Sequence, residues 1–529
     1  MLTLAVEAWI GNAAAVVSGA WGGVTQRAKQ SGYSRTSIYN HAHRVVRAVL
    51  NEQTSGVSYE VLLADYERLR SENEALWQAW SEAEELSEAK QREFASAGSA
   101  MGLSLMQIVT LLAVVLPGLA VPSRSKVGRW VQQARKQASH ILHVLDRACQ
   151  QWVLTLCLDE IFFHHEPILM AVEPASMAWV AAQRGPDRTG ESWEKVVAEW
   201  PRLEYVIADG GKGIERGVRL ADEARPGQAQ EPGTDVSPSL TMGLDVFHTQ
   251  REVERVLHRQ WKQVERQMET ASEADAKIVQ SKRRGRDLRG SAGQAGRAWR
   301  KAERLFDEAV RADGAAARIT AGLSWFRPDG TLQTREEAQT QLREASEQLP
   351  GPQWSKVRRL LSDERTLRHL DRMHEQLAAV VSVPLLRASL TRLWYFSNAM
   401  RQAQGEDCHR FTHLVAMEQV LCHRLCAQWQ SAYVGVETLL RQAVRASSAV
   451  EGVNSVVRMH QGRHRHVSQG MLDLKRLYWN CRVFRDGKRK GRCPYDLLGL
   501  KVPISDWWQL LQMNPEELEQ KLLTQDVRA

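Results

Sequence analysis

The sequence predicts an α/β core, split by a long all-helical insertion and preceded by an all-helical N-terminal region. Between residues 151 and 250, short apolar, β-prone runs and amphipathic stretches follow the order strand, strand, strand, helix, strand, helix, strand. From 251 to 445 the strand-like runs stop, and apolar residues recur at helical spacing. Residues 1–150 read as helices separated by turn-forming Gly, Pro and Ser.

Bulk properties bound the function. A chain of 529 residues, 43% hydrophobic and 25% charged, suits about three ordinary globular domains. The net charge of +8 fits a polyanionic partner. Seven cysteines, an odd number without regular pairing, point to a reducing compartment. The N-terminus lacks the basic start of a secretory signal. Leu103–Val121 is the one long apolar run; Gln107, Pro117 and Gly118 interrupt it, so it reads as a packed helix rather than a membrane span. The expected setting is the cytoplasm.

Residues 1–55 carry the grammar of a helix-turn-helix between Val24 and Val46. Ala28 is small enough for a close helix crossing, Gly32 permits the turn, and Ile38 packs into the angle. Ser34 caps the second helix, whose outward side offers Arg35, Thr36, Ser37, Tyr39, Asn40 and His41 to a DNA groove. Residues 56–100 hold a heptad run. Tyr59, Tyr66, Asn73 and Trp80 form one seam position, and Leu62, Leu69, Leu76 and Ala83 the other. A polar Asn within such a seam fixes register and strand number, so this segment is the expected means of self-association. Residues 101–150 read as a second helix-turn-helix. An apolar helix ends at Pro117, and Pro122-Ser123 opens a helix carrying Arg124, Lys126, Arg129, Arg135 and Lys136 for phosphate contact.

The core, 151–250, opens with Val153–Phe163, an apolar run whose only charges are Asp159 and Glu160. A carboxylate inside a buried strand needs compensation, and strand alternation lets only one of the two share a given face. Pro167–Val172 and Met177–Gln183 are the next strands, and Trp193–Trp200 is a helix. Leu203–Asp209 is a strand ending in an acid before Gly210-Gly211-Lys212-Gly213, with a helix from Ile214 to Ala224. Residues 225–239 form a loop, and Leu244–Phe247, within Asp245-Val246-Phe247-His248, is the fifth strand. This is the element order of a ribonuclease H-like fold, in which Asp159 and Asp209 face each other across neighbouring strands. Two close carboxylates call for a divalent cation, and hard oxygen ligands select Mg²⁺ or Mn²⁺.

The insertion, 251–445, contains helical runs at Thr249–Met268, Ala298–Val310, Glu336–Glu347, Trp354–His374 and Val380–Gln402. A basic loop, Lys282-Arg283-Arg284-Gly285-Arg286 with Arg289, suits phosphate contact. Cys408, His409, His413, Cys422, His423 and Cys426 fit no common zinc module, so Cys422 and Cys426 read as core positions on one helix face. In 446–480, the run Val450-Glu451-Gly452-Val453-Asn454 leading to Arg458 places Glu451, Asn454 and Arg458 on one helix face. That face reads either as an ordinary exposed polar surface, which spacing alone favours, or as a site in which Asn454 orients Glu451 and Arg458 holds a phosphate. Residues 481–529 form a basic tail. The cations from Arg463 and Arg465 through Lys475, Arg476 and Arg485 to Arg492, mixed with aromatics, suit a nucleic acid.

Leu158-Asp159-Glu160, Ala208-Asp209-Gly210-Gly211, Asp245-Val246-Phe247-His248 and the Glu451 helix together resemble the DDE transposases of bacterial insertion sequences. That resemblance implies a metal-binding catalytic triad of Asp159, Asp209 and Glu451 holding two Mg²⁺ or Mn²⁺ ions, and it selects Asp159 over Glu160. It also implies support from Asp245 and His248, and a helical insertion of the kind some members carry before the final Glu. The implied activity is cleavage and strand transfer at terminal inverted repeats of double-stranded DNA, by a homodimer or larger assembly. The alternatives are a related nuclease or resolvase without strand transfer, and a domesticated DNA-binding protein with an inactive site.

Overall fold

The computed structural model describes residues 2–50, 59–84, 87–116, 120–225, 239–461 and 466–526. The chain divides into two compact units, Met1–Gln91 and Arg92–Ala529.

In the first unit, α1 (Leu2–Val17) packs on α2 (Gly23–Ser31) and α3 (Arg35–Leu50), followed by α4 (Tyr59–Glu84). Gly32 adopts φ 70°, a left-handed conformation that glycine takes without strain, and its N–H closes on the Ala28 carbonyl at 3.1 Å. Ser34 caps α3 by accepting from the Ser37 N–H at 3.1 Å, and Ile38 is fully buried in the angle. Arg35, Tyr39 and Asn40 stand exposed on the outer side. His41 differs from expectation. It turns inward to Asn12 of α1 (Nδ2 to Nδ1, 2.9 Å), and the Arg27 Nε donates to Asn12 Oδ1 at 2.9 Å. On α4, Tyr66, Leu69 and Asn73 are exposed as an unpartnered seam requires. The other seam side chains (Tyr59, Leu62, Leu76, Trp80 and Ala83) lie outside the described residues, as do most of the loop 225–239 and the break at Pro117-Gly118.

The second unit is built on a mixed five-stranded sheet of order β3-β2-β1-β4-β5. Its strands are β1 (Thr155–Phe163), β2 (Glu166–Glu173), β3 (Ala178–Arg184), β4 (Tyr205–Ala208) and β5 (Thr241–Leu244). The first three are antiparallel neighbours, and β4 and β5 run parallel to β1. Before the sheet come α5 (Glu88–Met101), α6 (Leu105–Val115) and α7 (Arg124–Cys149). The expected second helix-turn-helix is more than an appendage. Ala134, Ala138, Ile141, Leu142 and Leu145 of α7 share one core with Leu156 and Leu158 of β1. Arg124 and Arg129 at its start remain exposed, while Lys126 lies over the Trp130 ring, 5.1 Å from its centre.

Helices α8 (Gly190–Ala198) and α9 (Lys212–Glu223) cover the same face of the sheet, crossing closely at Gly217. The fifth strand ends earlier than its sequence suggests. Asp245 accepts from the Phe247 N–H at 2.8 Å and so caps a helix, which draws Val246, Phe247 and His248 into its first turn. That helix, α10 (Val246–Arg283), and α11 (Arg289–Gly322) form a hairpin roughly 50 Å long, at ~1.5 Å per residue. Lys282, Arg283 and Arg284 are exposed at its tip.

The remaining insertion helices are α12 (Arg335–Gln348), α13 (Ser355–Ser362), α14 (Arg368–Val380), α15 (Pro384–Gln402), α16 (Glu406–Leu425) and α17 (Trp429–Gln442). The expected single run Trp354–His374 is broken, because the Asp363 side chain caps a new turn by accepting from Arg365 N–H at 3.0 Å. On α16, Cys422 is buried and donates to Ser389 Oγ at 3.3 Å, while Cys408 on the same helix and Cys426 just beyond its end are half-buried. Among the described residues, no single helix is long and apolar enough to cross a membrane.

The insertion closes on itself at the sheet. The Val246 N–H, where it leaves, donates to the Arg445 carbonyl, where it returns, at 3.2 Å. Arg372 braces the far side, stacking over the Tyr205 ring at 4.7 Å and donating to Thr155 Oγ1 at 3.2 Å. The chain then forms α18 (Ser448–Gln461), α19 (Gln469–Cys481) and three short helices, α20 (Pro494–Leu498), α21 (Trp507–Gln512) and α22 (Pro515–Asp526).

Two basic residues expected to meet nucleic acid are buried instead. Arg476 pairs with Asp146, and Lys475 donates to the Ala100 carbonyl at 2.7 Å, burial pushing its ammonium down to about 7. Both sit on the inner side of α19, where apolar neighbours at helical spacing hold that face against the sheet. Arg485, Lys488, Lys490 and Arg492 stay exposed, whereas Arg489 donates to the Pro174 and Ala175 carbonyls.

Candidate active site

The central strand places the first acid. Cys157, Ile161 and Phe163 pack against Val450, Val453 and Val457 of α18, whereas Leu156 and Leu158 face α7 and the opposite core. Strand alternation therefore puts Asp159 on the α18 face and Glu160 on the other. There Glu160 pairs with Arg188 at 2.6 Å. The parallel register Cys157↔Ile207, carried two residues on, sets Asp209 beside Asp159. Asp209 accepts from the Gly211 N–H at 2.9 Å in a turn made by Gly210 at φ 78°. A Cβ there would approach Leu244 Cδ2 to 2.9 Å.

Asp159 is only 9% exposed. Burial, opposed by His248 and reinforced by the nearby charges of Glu451 and Asp209, pushes its carboxyl up to about 7. Its Oδ2 accepts from Asn454 Nδ2 at 2.7 Å and its Oδ1 from the Glu160 N–H at 2.9 Å. Asn454 was expected to orient Glu451. It reaches Asp159 instead, because it lies on the fully buried side of α18. Glu451 lies one turn earlier, at the rim. Arg458 pairs with Glu451 Oε2 at 2.9 Å.

Asp245 and His248 meet Glu451 from α10. The buried Asp245 Oδ2 accepts from His248 Nδ1 and from Ser447 Oγ. Burial opposes ionisation of Asp245, but these hydrogen bonds outweigh it and hold the carboxyl below its ordinary range. The same hydrogen bond raises the His248 pKa, against burial. His248 Nε2 then stands 3.9 Å from Glu451 Oε1, and Arg251 Nη1 3.7 Å from the same oxygen. Sequence reasoning missed Ser447 and Arg251. Reading Asp245 as a helix cap rather than a strand residue would have found Arg251, since His248 and Arg251 then follow at three-residue steps along one helix face.

The structure thus brings Asp159, Asp209, Glu451, Asn454, Asp245, His248 and Arg458 to one end of the sheet. It leaves Arg35, Ser37, Tyr39 and Asn40 on α3, Arg124, Lys126 and Arg129 on α7, and Lys282, Arg283 and Arg284 on the hairpin tip. Arg463 and Arg465 lie outside the described residues.

Three carboxylates are a hard-oxygen donor set suited to Mg²⁺ or Mn²⁺. Two features of the site fit such an ion: the raised Asp159 carboxyl, which a cation would relieve, and the buried Asn454 Oδ1, which accepts no hydrogen bond among the described residues. In this arrangement no three His, Cys, Asp or Glu groups among the described residues are yet drawn together as a metal-binding cluster. Asp159, Asn454 and Asp245 form the buried floor of the site, and Glu451, His248 and Arg251 its partly exposed edge. A cleft of about 780 Å³, lined by Asp146, Arg184, Asp473 and Arg476 among others, lies apart from it. Comparison of the chain with protein-family models, curated proteins and solved structures finds no match.

Proposed function

We propose that the chain is a metal-dependent DNA transposase of the insertion-sequence type, with a ribonuclease H-like core, acting on terminal inverted repeats as a dimer or larger assembly in the bacterial cytoplasm. One observation carries the reading. Glu451, across the whole insertion from Asp209, returns to the same end of the sheet, close enough for its charge to act on Asp159, with the backbone bond between Val246 and Arg445 closing the loop. The strand order β3-β2-β1-β4-β5 supports the fold assignment.

Bound divalent cations would neutralise phosphate charge and activate an oxygen nucleophile for in-line displacement. The chain's own residues set the stage. Asn454 fixes the Asp159 carboxylate, and Asp245 holds the His248 ring with its Nε2 toward Glu451. The exposed cations of α3, of the α7 start and of the hairpin tip supply phosphate and groove contacts. The α4 seam supplies pairing between copies.

The test is cleavage and joining of DNA carrying the element's ends, in Mg²⁺ and in Mn²⁺. Wild type should cleave and join. Asp159→Asn, Asp209→Asn and Glu451→Gln should bind the DNA without doing either. Cleavage without joined product would favour the nuclease reading, and full activity in all three variants would overturn the assignment.

A further inference from the structure

We propose that Arg251 and Arg458 form a binding site for a DNA phosphodiester, and that in the DNA-free protein this site is filled by the carboxylate of Glu451. DNA would then displace Glu451 and release it toward Asp159 and Asp209, making metal capture dependent on DNA. The inference rests on reading Glu451 as a metal ligand.

The geometry of the pair carries it. Arg458 Nη1 lies 2.9 Å from Glu451 Oε2, and Arg251 Nη1 lies 3.7 Å from Oε1, so both oxygens face a guanidinium. The two arginines come from different elements, α18 and α10, which the Val246–Arg445 hydrogen bond holds together. Their side chains are 47% and 63% exposed, against 17% for Glu451. The cationic heads therefore face the solvent from which DNA arrives.

A guanidinium fork grips carboxylate and phosphate with the same hydrogen-bond pattern, so the two anions compete for one site. The arginine side of each pair is solvent-screened, which limits what the ion pair contributes and lets a phosphodiester compete with the carboxylate. Displacement needs no movement of α18. Val450, Val453 and Val457 anchor that helix in the core, and Gln461 donates to the Phe162 carbonyl at 2.8 Å. Only the Glu451 side chain has to turn. An enzyme gated in this way would not assemble its cutting centre away from DNA.

Two measurements on the full chain test this. In metal-free buffer, duplex affinity by fluorescence anisotropy should rise in Glu451→Gln, which removes the internal competitor. That gain should vanish when Arg251→Gln and Arg458→Gln are also present, and Asp209→Asn, which removes a nearby charge that pairs with neither arginine, should give less. Mn²⁺ binding without DNA, read by electron paramagnetic resonance, should be roughly fivefold tighter in the Arg251→Gln/Arg458→Gln variant than in wild type, and should be lost again on adding Asp159→Asn.

Equal, Asp159-dependent Mn²⁺ binding by wild type and the double variant would overturn the gate while leaving the metal site standing. Absence of Asp159-dependent Mn²⁺ binding in either protein would overturn the metal site and the gate together. An affinity gain in Glu451→Gln that survives loss of both arginines would overturn the shared phosphate site.

Discussion

Replacing Asp159 with Asn should stabilise the metal-free protein at alkaline pH, although it removes a proposed catalytic ligand. In the folded chain Asp159 keeps its proton to about 7, whereas the unfolded chain releases it near 3.8. Its contribution to stability is therefore fully present below pH 4 and is lost as pH rises through 7. A rise from 3.8 to about 7 corresponds to roughly 4 kcal/mol, at ~1.4 kcal/mol per pH unit. Asn is neutral throughout, and it forfeits one of the two hydrogen bonds accepted from Asn454 and Glu160, costing about 1 kcal/mol. Asp159→Asn should thus exceed wild type by about 3 kcal/mol at pH 8.5 and lose that advantage by pH 4. Urea unfolding with a chelator present, followed by the fluorescence of the buried Trp179, Trp193 and Trp200, measures the gap. Mg²⁺ should narrow it by stabilising wild type alone. Equal or lower stability of the variant at pH 8.5, or a gap that does not change with pH, would refute the view of Asp159 as a buried carboxyl with a raised pKa.

Other sites give independent checks. Arg476→Met removes the buried partner of the half-buried Asp146 and should cost about 3 kcal/mol or less in urea unfolding, most of it restored by adding Asp146→Leu. Gly217→Ala would force a Cβ to 2.3 Å from Trp193 Cβ, so the α8–α9 crossing should lose about 1–3 kcal/mol, seen as a lowered Tm. Ile38→Ala should cost the first unit about 2–5 kcal/mol and abolish the DNA binding proposed for it. Arg35→Ala and Asn40→Ala should weaken DNA binding by anisotropy while leaving the helical circular dichroism unchanged.

The sequence by itself determined the elements whose signals are local. The order of strands along the chain, the Gly32 turn with its Ser34 cap, and the acids Asp159 and Asp209 could be read from periodicity, turn chemistry and charges misplaced in apolar runs, whereas Glu451 stood out only through the resemblance to a known family. The expected placement of the first strand beside the fourth, taken from the likeness of the element order to a known sheet topology, matches the parallel pairing of β1 with β4. Only the tertiary structure decided what depended on contacts between distant segments. Asp245 looked like a strand residue until its carboxylate was seen capping α10, and that half-turn of difference is what aims His248 and Arg251 at Glu451. Lys475 and Arg476 carry the composition of a nucleic-acid contact, yet the packing of α19 turns them inward to Ala100 and Asp146. Asn454 serves Asp159 rather than Glu451, because neighbours on one helix face diverge once half of that face is buried. A side chain's partner is set by which elements meet, and that meeting is a global outcome of burying apolar surface rather than a property of any local stretch.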